Sequence, residues 1–199
     1  MKPLKNLSVR RWLNVSLVFA IACSALSTRA DTAVSSMLDD FSDAKRFGGE
    51  RPLITDKDLG SKSHATQTCE GGVLTVQGEL VPGRGVPAFI SVPLVLAPDL
   101  APQDKSACEG IRLKVKVKKG ILSVQVASAD IQNFDFHTSG PVTGKPGVFQ
   151  EVRIPFKDLK RAWSEQTPLN LKLITSVNLV AFGMAKDAFA YEVDEIGFY

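Results

Sequence analysis

Short runs in which apolar and polar residues alternate recur along most of the chain. The clearest is 111–117, IRLKVKV, in which apolar residues alternate with three cations. A period of two residues indicates β-strands with one buried face. Further runs cover 73–77, 88–94, 122–127, 134–137, 152–156, 177–182 and 189–193. Because strands and helices do not alternate along the chain, the pattern predicts an all-β protein, an antiparallel β-sandwich or barrel over residues 36–199.

Two local signals refine the strands. The turn residues 118–120, KKG, separate two alternating runs, so the sequence predicts a β-hairpin over 111–127. The last strand changes parity, because Val193 and Ile196 are both apolar with two acids between them. This change predicts a β-bulge at 194–195.

Apolar residues at helical spacing occur clearly at one place in the sequence. Phe156, Leu159 and Trp163 stand at intervals of three and four residues, which predicts a short helix or turn between two strands. The predicted core of the sandwich consists of Phe41, Val76, Phe89, Leu113, Val115, Val124, Phe136, Val152, Ile154, Leu179, Val193 and Phe198.

The chain has 199 residues and a formal net charge of +3, but the excess of cations lies in its first 30 residues. That segment carries five cations and no acid, so the remaining chain has a net charge of −2. The charge therefore gives no support for a nucleic-acid partner. A basic start, an apolar run over 13–23 and small residues up to Ala30 predict a signal peptide over 1–30. The single mature domain is predicted to cover 31–199 and to be periplasmic or secreted.

The leader leaves one alternative open. The stretch 20–23, AIAC, resembles a lipoprotein cleavage site, in which Cys23 would carry the lipid. The protein would then be an outer-envelope lipoprotein, and lipidation at Cys23 is the only membrane attachment we expect. The apolar run is too short for a transmembrane helix, which needs about 20 apolar residues.

Export also bears on the cysteines. Cys69 and Cys108 are the two cysteines of the predicted mature domain. An oxidising compartment favours a disulfide between them, with Cα atoms about 4.4–6.8 Å apart. The alternative is two buried thiols.

Several segments occur in the order found in a known family. They are 38–41 (LDDF), 83–89 (GRGVPAF), 109–111 (EGI), 152–159 (VRIPFKDL) and 191–199 (YEVDEIGFY). The chain thus resembles the complex I intermediate-associated protein 30 family over residues 38–199. That family has a galactose-binding-like jelly roll similar to family 11 carbohydrate-binding modules. The resemblance implies a jelly-roll β-sandwich without catalytic activity, whose partner is a glycan or a protein.

Motifs of known catalytic chemistry are missing from the sequence. It contains no Cys-x-x-Cys or His-x-x-x-His spacing and no Gly-x-Ser-x-Gly segment. We therefore predict that the protein is not an enzyme. We expect no cofactor, apart from a structural calcium ion at the acid pairs near the two ends of the domain, with Asp40 and Asp194 as ligands. The alternative for these acids is a solvated turn and a bulge.

The candidate ligand site is the polar face of the middle strands. If these strands lie side by side, one face carries cations, acids, hydroxyls and an imidazole, and the alternative is an ordinary solvated face. The predicted ligand-binding residues are Arg112, Asp135, His137, Arg153 and Trp163. Two hypotheses follow: an exported module that binds a glycan or similar polar ligand, and an envelope protein-interaction or assembly factor.

Overall fold

The structure is a computed structural model and describes residues 36–199. These residues form eleven β-strands in two antiparallel sheets that pack face to face. One sheet has six strands: β1 (Ser36–Asp39), β3 (His64–Glu70), β4 (Val73–Leu80), β6 (Gly110–Lys119), β9 (Gln150–Pro155) and β11 (Asp187–Phe198). The other has five: β2 (Ile54–Thr55), β5 (Ala88–Val95), β7 (Leu122–Ser128), β8 (His137–Thr138) and β10 (Ile174–Gly183). The predicted all-β sandwich is confirmed.

Strands distant in sequence lie side by side. The six-stranded sheet has the order β3-β4-β11-β6-β9, and β1 pairs with β11 where β4 ends. The five-stranded sheet has the order β2-β5-β10-β7-β8. Short 3₁₀ turns at Asp56–Leu59, Phe156–Asp158 and Leu171–Leu173 are the helical elements of the described chain. No helix among residues 36–199 has the length and apolar character needed to cross a membrane.

The core lies between the sheets and is nearly what the alternation predicts. Nine of the twelve predicted core residues are buried, and Val152 packs against them while partly exposed. Phe89 and Phe136 are exceptions, because both are only half-buried and belong to the outer surface. Phe89 stands opposite Phe182, and its neighbours Ala88 and Ile90 are the residues that point inward. The run 88–94 is apolar at nearly every position, so period alone could not assign its two faces.

The predicted hairpin over 111–127 is wrong. β6 pairs with β9 and β11, whereas β7 pairs with β8 and β10, so the turn after β6 carries the chain from one sheet to the other. Both strands bury their apolar faces in the same core from opposite sides. Alternation shows which face of a strand is buried, but it does not show which strand provides the hydrogen-bonding partner.

The predicted bulge and helix have different outcomes. The bulge is confirmed, because Val193 pairs with Val115 and Glu195 with Lys114, which leaves Asp194 as the extra residue. The helical turn is confirmed only over Phe156–Asp158. Trp163, which was placed on the same turn, is 70% exposed in a loop.

The predicted disulfide between Cys69 and Cys108 is not present. Cys69 lies in β3, Cys108 precedes β6, and the strands β4 and β11 separate them. With neighbouring strands about 4.8 Å apart, this separation exceeds the roughly 7 Å that a bridge can span. The half-buried Cys69 sulfur instead lies 3.3 Å from the carbonyl oxygen of Phe41. The predicted signal peptide and Cys23 lie outside the described residues.

Candidate functional site

The outer faces of the two sheets differ in charge. On the six-stranded sheet, cations of β6 face acids of β11. Ion pairs join Arg112 to Glu195, Lys114 to Asp194, and Lys116 and Lys118 to Glu192. Burial alone would raise the pKa of Glu192, but hydrogen bonds and attraction from the two lysines lower it. Such a ladder of paired charges is typical of a solvated sheet face.

Two predicted ligand-binding residues belong to this charged face. Arg112 and Arg153 are directly opposite one another on β6 and β9. The Arg112 guanidinium lies 2.6 Å from a carboxylate oxygen of Glu195, and that of Arg153 lies 2.9 Å from one of Glu151. Arg153 also lies over the ring of Tyr199, 5.1 Å from its centroid. Both cations therefore have protein partners.

The outer face of the five-stranded sheet carries no formal charge, and we call it the neutral face. Its residues follow from strand pairing and from the buried residues that alternate with them. The neutral face consists of Ile54, Phe89, Ser91, Pro93, Val95, Ser123, Gln125, Ala127, Thr138, Ser176, Asn178, Val180 and Phe182. Hydroxyls and amides with apolar neighbours replace the paired charges of the other sheet.

Four side chains of the neutral face form a hydrogen-bonded row across β10, β7 and β8, here called the polar row. The Ser176 hydroxyl donates to the Asn178 side-chain oxygen at 2.8 Å. The Asn178 amide donates to the Gln125 oxygen at 3.4 Å, and the Gln125 amide donates to the Thr138 hydroxyl at 3.1 Å. These bonds fix the orientation of two amides, each of which has further donor or acceptor capacity.

The middle of the neutral face is less exposed than one of its ends. Asn178 is only 6% exposed and Ser91 only 8%, although both are on an outer face. At one end Phe182 pairs with Phe89, and Phe182 is 45% exposed. The middle of the face therefore consists of little-exposed neutral polar groups, with aromatic rings at one end.

The other three predicted ligand-binding residues lie together near β8, but two of them support the third. The Asp135 carboxylate is 1% exposed and accepts hydrogen bonds from the backbone N–H groups of Ala162, Trp163 and Ser164 at 2.6–3.1 Å. The Nε2 atom of the buried His137 lies 2.7 Å from the Thr167 carbonyl oxygen. Asp135 and His137 thus anchor the loop that carries Trp163 and are not available to a ligand.

Electrostatics agree with this anchoring role. Burial alone would raise the pKa of Asp135, but hydrogen bonds from Ser164 and from the backbone of Ala162 and Trp163 lower it. The carboxylate is therefore charged at neutral pH. Arg161, 3.9 Å away, is the nearest cation with which it pairs.

The two predicted calcium ligands already have protein partners. One Asp40 oxygen accepts from the backbone and the hydroxyl of Ser42, and Asp194 pairs with Lys114. Residues 36–199 contain no group of three or more histidine, cysteine or acidic side chains that could hold a metal ion. The expectation of a structural calcium ion stays untested.

The signal that the sequence analysis missed is the absence of charge. The predicted ligand-binding residues include none of the four members of the polar row, Gln125, Thr138, Ser176 and Asn178. The outward positions of β5, β7 and β10 lack charge, whereas those of β6, β9 and β11 are mostly charged. This contrast is visible in the sequence when the predicted strands are grouped by the charge of their outward residues.

No protein-family model matches the sequence, and no curated protein matches it. Solved structures do. The chain is similar to the family 11 carbohydrate-binding module of the cellulosomal cellulase Lic26A-Cel5E of Clostridium thermocellum, with a TM-score of 0.58 and 17% identity over 82% of this chain and 93% of that one. It is also similar to the family 11 module from Clostridium thermocellum in complex with a β-1,3-1,4-mixed-linked tetrasaccharide. That structure has a TM-score of 0.57 and 18% identity, over 82% of this chain and 94% of that one.

An agarase, AgWH50C, is similar with a TM-score of 0.53 and 10% identity, over 82% of this chain but 24% of its own. Because these identities are low, the likeness shows the fold. The fold is a jelly-roll β-sandwich of the kind found in carbohydrate-binding modules. Membership of the complex I intermediate-associated protein 30 family is not shown and stays a prediction.

Proposed function

We propose that the protein is a non-catalytic module that binds a neutral glycan on the neutral face. The observation that carries the proposal is the polar row, which lies on a face without charge. Amides and hydroxyls can both donate to and accept from sugar hydroxyls. The strands of the neutral face provide no counter-charge for an acidic ligand, although Lys160, which pairs with Thr138, places a cation at its edge, so the face favours neutral chains.

Ring faces support the same proposal. Phe89 and Phe182 lie on the same face as the polar row, at one end of that face. A sugar ring has an apolar face of C–H groups that can pack against an aromatic ring, while its hydroxyls reach the polar row. The arrangement supplies apolar contact and orienting hydrogen bonds, the combination expected of a small-molecule site.

Catalysis is not part of the proposal. Asp135 and His137 were the acid and imidazole of the predicted site, and both are engaged with backbone groups of one loop. Two solved structures that match this chain over more than nine-tenths of their own length are carbohydrate-binding modules.

Calorimetric titration with saccharides tests the proposal. The first ligand is a β-1,3-1,4-mixed-linked tetrasaccharide, and an acidic ligand of similar size, an oligogalacturonate, is the comparison. Gln125→Ala should weaken binding of the neutral ligand about threefold to tenfold, the effect of one or two hydrogen bonds. Lys114→Gln is the control, because it lies on the opposite sheet and its ion pair is half-exposed. Equal affinity for the acidic ligand would contradict the proposal.

A broader screen separates the two hypotheses of function. Failure of every saccharide tested, together with a stoichiometric protein partner in complexes purified from cell envelopes, would favour the assembly-factor alternative. We also propose that the protein acts outside the cytoplasm, because its leader combines a basic start with an apolar run. Mass measurement of the mature protein would reveal cleavage after Ala30 or a lipid on Cys23.

A further inference from the structure

We infer that Phe134 and Trp163 form an aromatic subsite that extends the neutral face beyond β8 and binds the part of a glycan that continues past the polar row. This inference rests on the proposed function. We call the two residues the aromatic edge. Phe134 is 75% exposed and Trp163 is 70% exposed. Large apolar side chains that are exposed beside a polar sheet face are typical of binding surfaces.

The loops that carry the two rings are held together by many hydrogen bonds. Asp135 accepts three backbone bonds from the Trp163 loop. The Asn133 amide donates to the Ser164 hydroxyl at 2.9 Å. Arg161 completes the link, because it donates to the side-chain oxygen of Asn133 at 3.1 Å and to the carbonyl oxygen of Asp135 at 3.1 Å. The segments therefore present their rings on a rigid support, which reduces the ordering cost of binding.

Phe134 has an unusual backbone for its side chain. Its φ is +60°, a conformation that bulky residues rarely adopt. The neighbouring Asp135 amide is held by the side chain of Asn133 at 3.2 Å. The Phe134 ring is held at the surface beside Phe136 in spite of the cost of this backbone conformation.

The aromatic edge is continuous with the polar row. Thr138, the last member of the row, donates to the carbonyl oxygen of Phe136 at 3.0 Å. The Phe136 ring lies edge-on to Phe134, with centroids 6.1 Å apart. On the other side, Thr138 pairs with Lys160, which leads into the Trp163 loop. A chain that follows the polar row across the strands therefore meets the aromatic edge next.

The size of the aromatic edge favours a glycan over a protein partner. Two aromatic side chains bury about 500 Å² at most. A specific protein interface needs about 800 Å² from each partner. The edge alone is therefore too small for a stable protein interface, whereas one ring is large enough to cover the apolar face of one sugar unit.

The test compares a neutral mixed-linked tetrasaccharide with an octasaccharide of the same linkage by calorimetry, using the whole chain. We expect the wild type to bind the octasaccharide at least about tenfold more tightly. Trp163→Ala and Phe134→Ala should remove most of that gain while changing tetrasaccharide affinity by less than about threefold. Phe47→Ala is the control, because Phe47 is also exposed, at 53%, and also has a positive φ, +50°.

Emission from Trp163 provides a second readout. The sequence has two tryptophans, so Trp12→Phe leaves Trp163 as the reporter. Octasaccharide should shift the emission of this exposed indole to shorter wavelength, and tetrasaccharide should shift it less.

Three results would overturn the inference. The variants could retain full octasaccharide affinity, which would leave the proposed function standing. They could lose affinity equally for both ligands, which would place the edge inside the tetrasaccharide site. The wild type could bind neither ligand, nor any saccharide of the broader screen, which would overturn the proposed function as well.

Discussion

A buried ion pair fixes the first strand to the loop that follows it, and its removal should be costly. Asp39 ends β1 and is 6% exposed, and Arg51 is 5% exposed. Two parallel contacts join them, from Nε to Oδ2 at 2.9 Å and from Nη2 to Oδ1 at 2.8 Å. The third guanidinium nitrogen donates to the carbonyl oxygens of Asp43 and Ala44.

The magnitude follows from what each substitution leaves behind. Arg51→Met removes the two bonds to Asp39 and leaves its buried carboxylate with Arg46, 3.3 Å away, and the Phe41 amide. Breaking a buried pair in this way costs about 3–5 kcal/mol. Arg46 compensates in part, so we expect a loss of about 3 kcal/mol in the free energy of unfolding. The double variant Asp39→Asn, Arg51→Met should lose less than the sum of the two single changes.

Urea unfolding followed by circular dichroism measures these differences. Fluorescence is less suitable, because Trp163 is largely exposed in the folded state. Lys186→Met is the matched control, because it breaks a surface pair with Glu79 whose side chains are 65% and 34% exposed. That change should cost less than about 1 kcal/mol. If Arg51→Met costs no more than Lys186→Met, the reasoning from burial is refuted.

Two further changes test the loop anchor and the packing of the sheet edge. Asp135→Asn should cost about 1.5–3 kcal/mol at neutral pH, because it weakens charged hydrogen bonds. The folded pKa of Asp135 is lowered, so this advantage of the wild type should shrink as pH falls below about 4 in urea titrations at several pH values; a gap that does not narrow below that pH would contradict it. Gly110→Ala should cost about 1–3 kcal/mol, because a Cβ there would clash with the carbonyl oxygen of Ile154; an unchanged melting temperature would contradict it.

The fold class could be predicted from the sequence, because a strand with one buried face has apolar and polar residues that alternate. Leu113 and Val115 alternate with cations, and all four of Leu122, Val124, Val126 and Leu179 lie at 0% exposure where alternation places them. Pairing is different. The turn after β6 has the residues of a hairpin turn, yet it connects two sheets, because both sides of one core need apolar strands and short connections serve either arrangement.

Because the sequence pattern does not reveal strand pairing, the predicted ligand-binding residues were only partly brought together. The prediction places Arg112 and Asp135 on one face on the assumption that their strands are neighbours, but Arg112 lies in β6 of one sheet and Asp135 lies in the loop before β8 of the other. Trp163 survives as a candidate because it is exposed, which helical spacing did not predict. Residue types therefore identified side chains that are able to bind a ligand. The surface on which each side chain lies depends on strand order, which a single sequence does not encode locally.

Both outer faces of the sandwich must be soluble, but their side chains differ in chemistry. This chemical difference is the argument for a binding function. A core constrains only the inward positions of a sandwich, so outward positions are free to carry paired charges, as those of β6 and β11 do. The outward positions of β7 and β10 instead carry amides, hydroxyls and apolar groups, and Asn178 lies nearly buried among them. Neutral amides on such a face contribute less to solubility than charges do and offer fixed donors and acceptors. Stability alone does not require such a row, whereas recognition of a neutral chain of hydroxyls does.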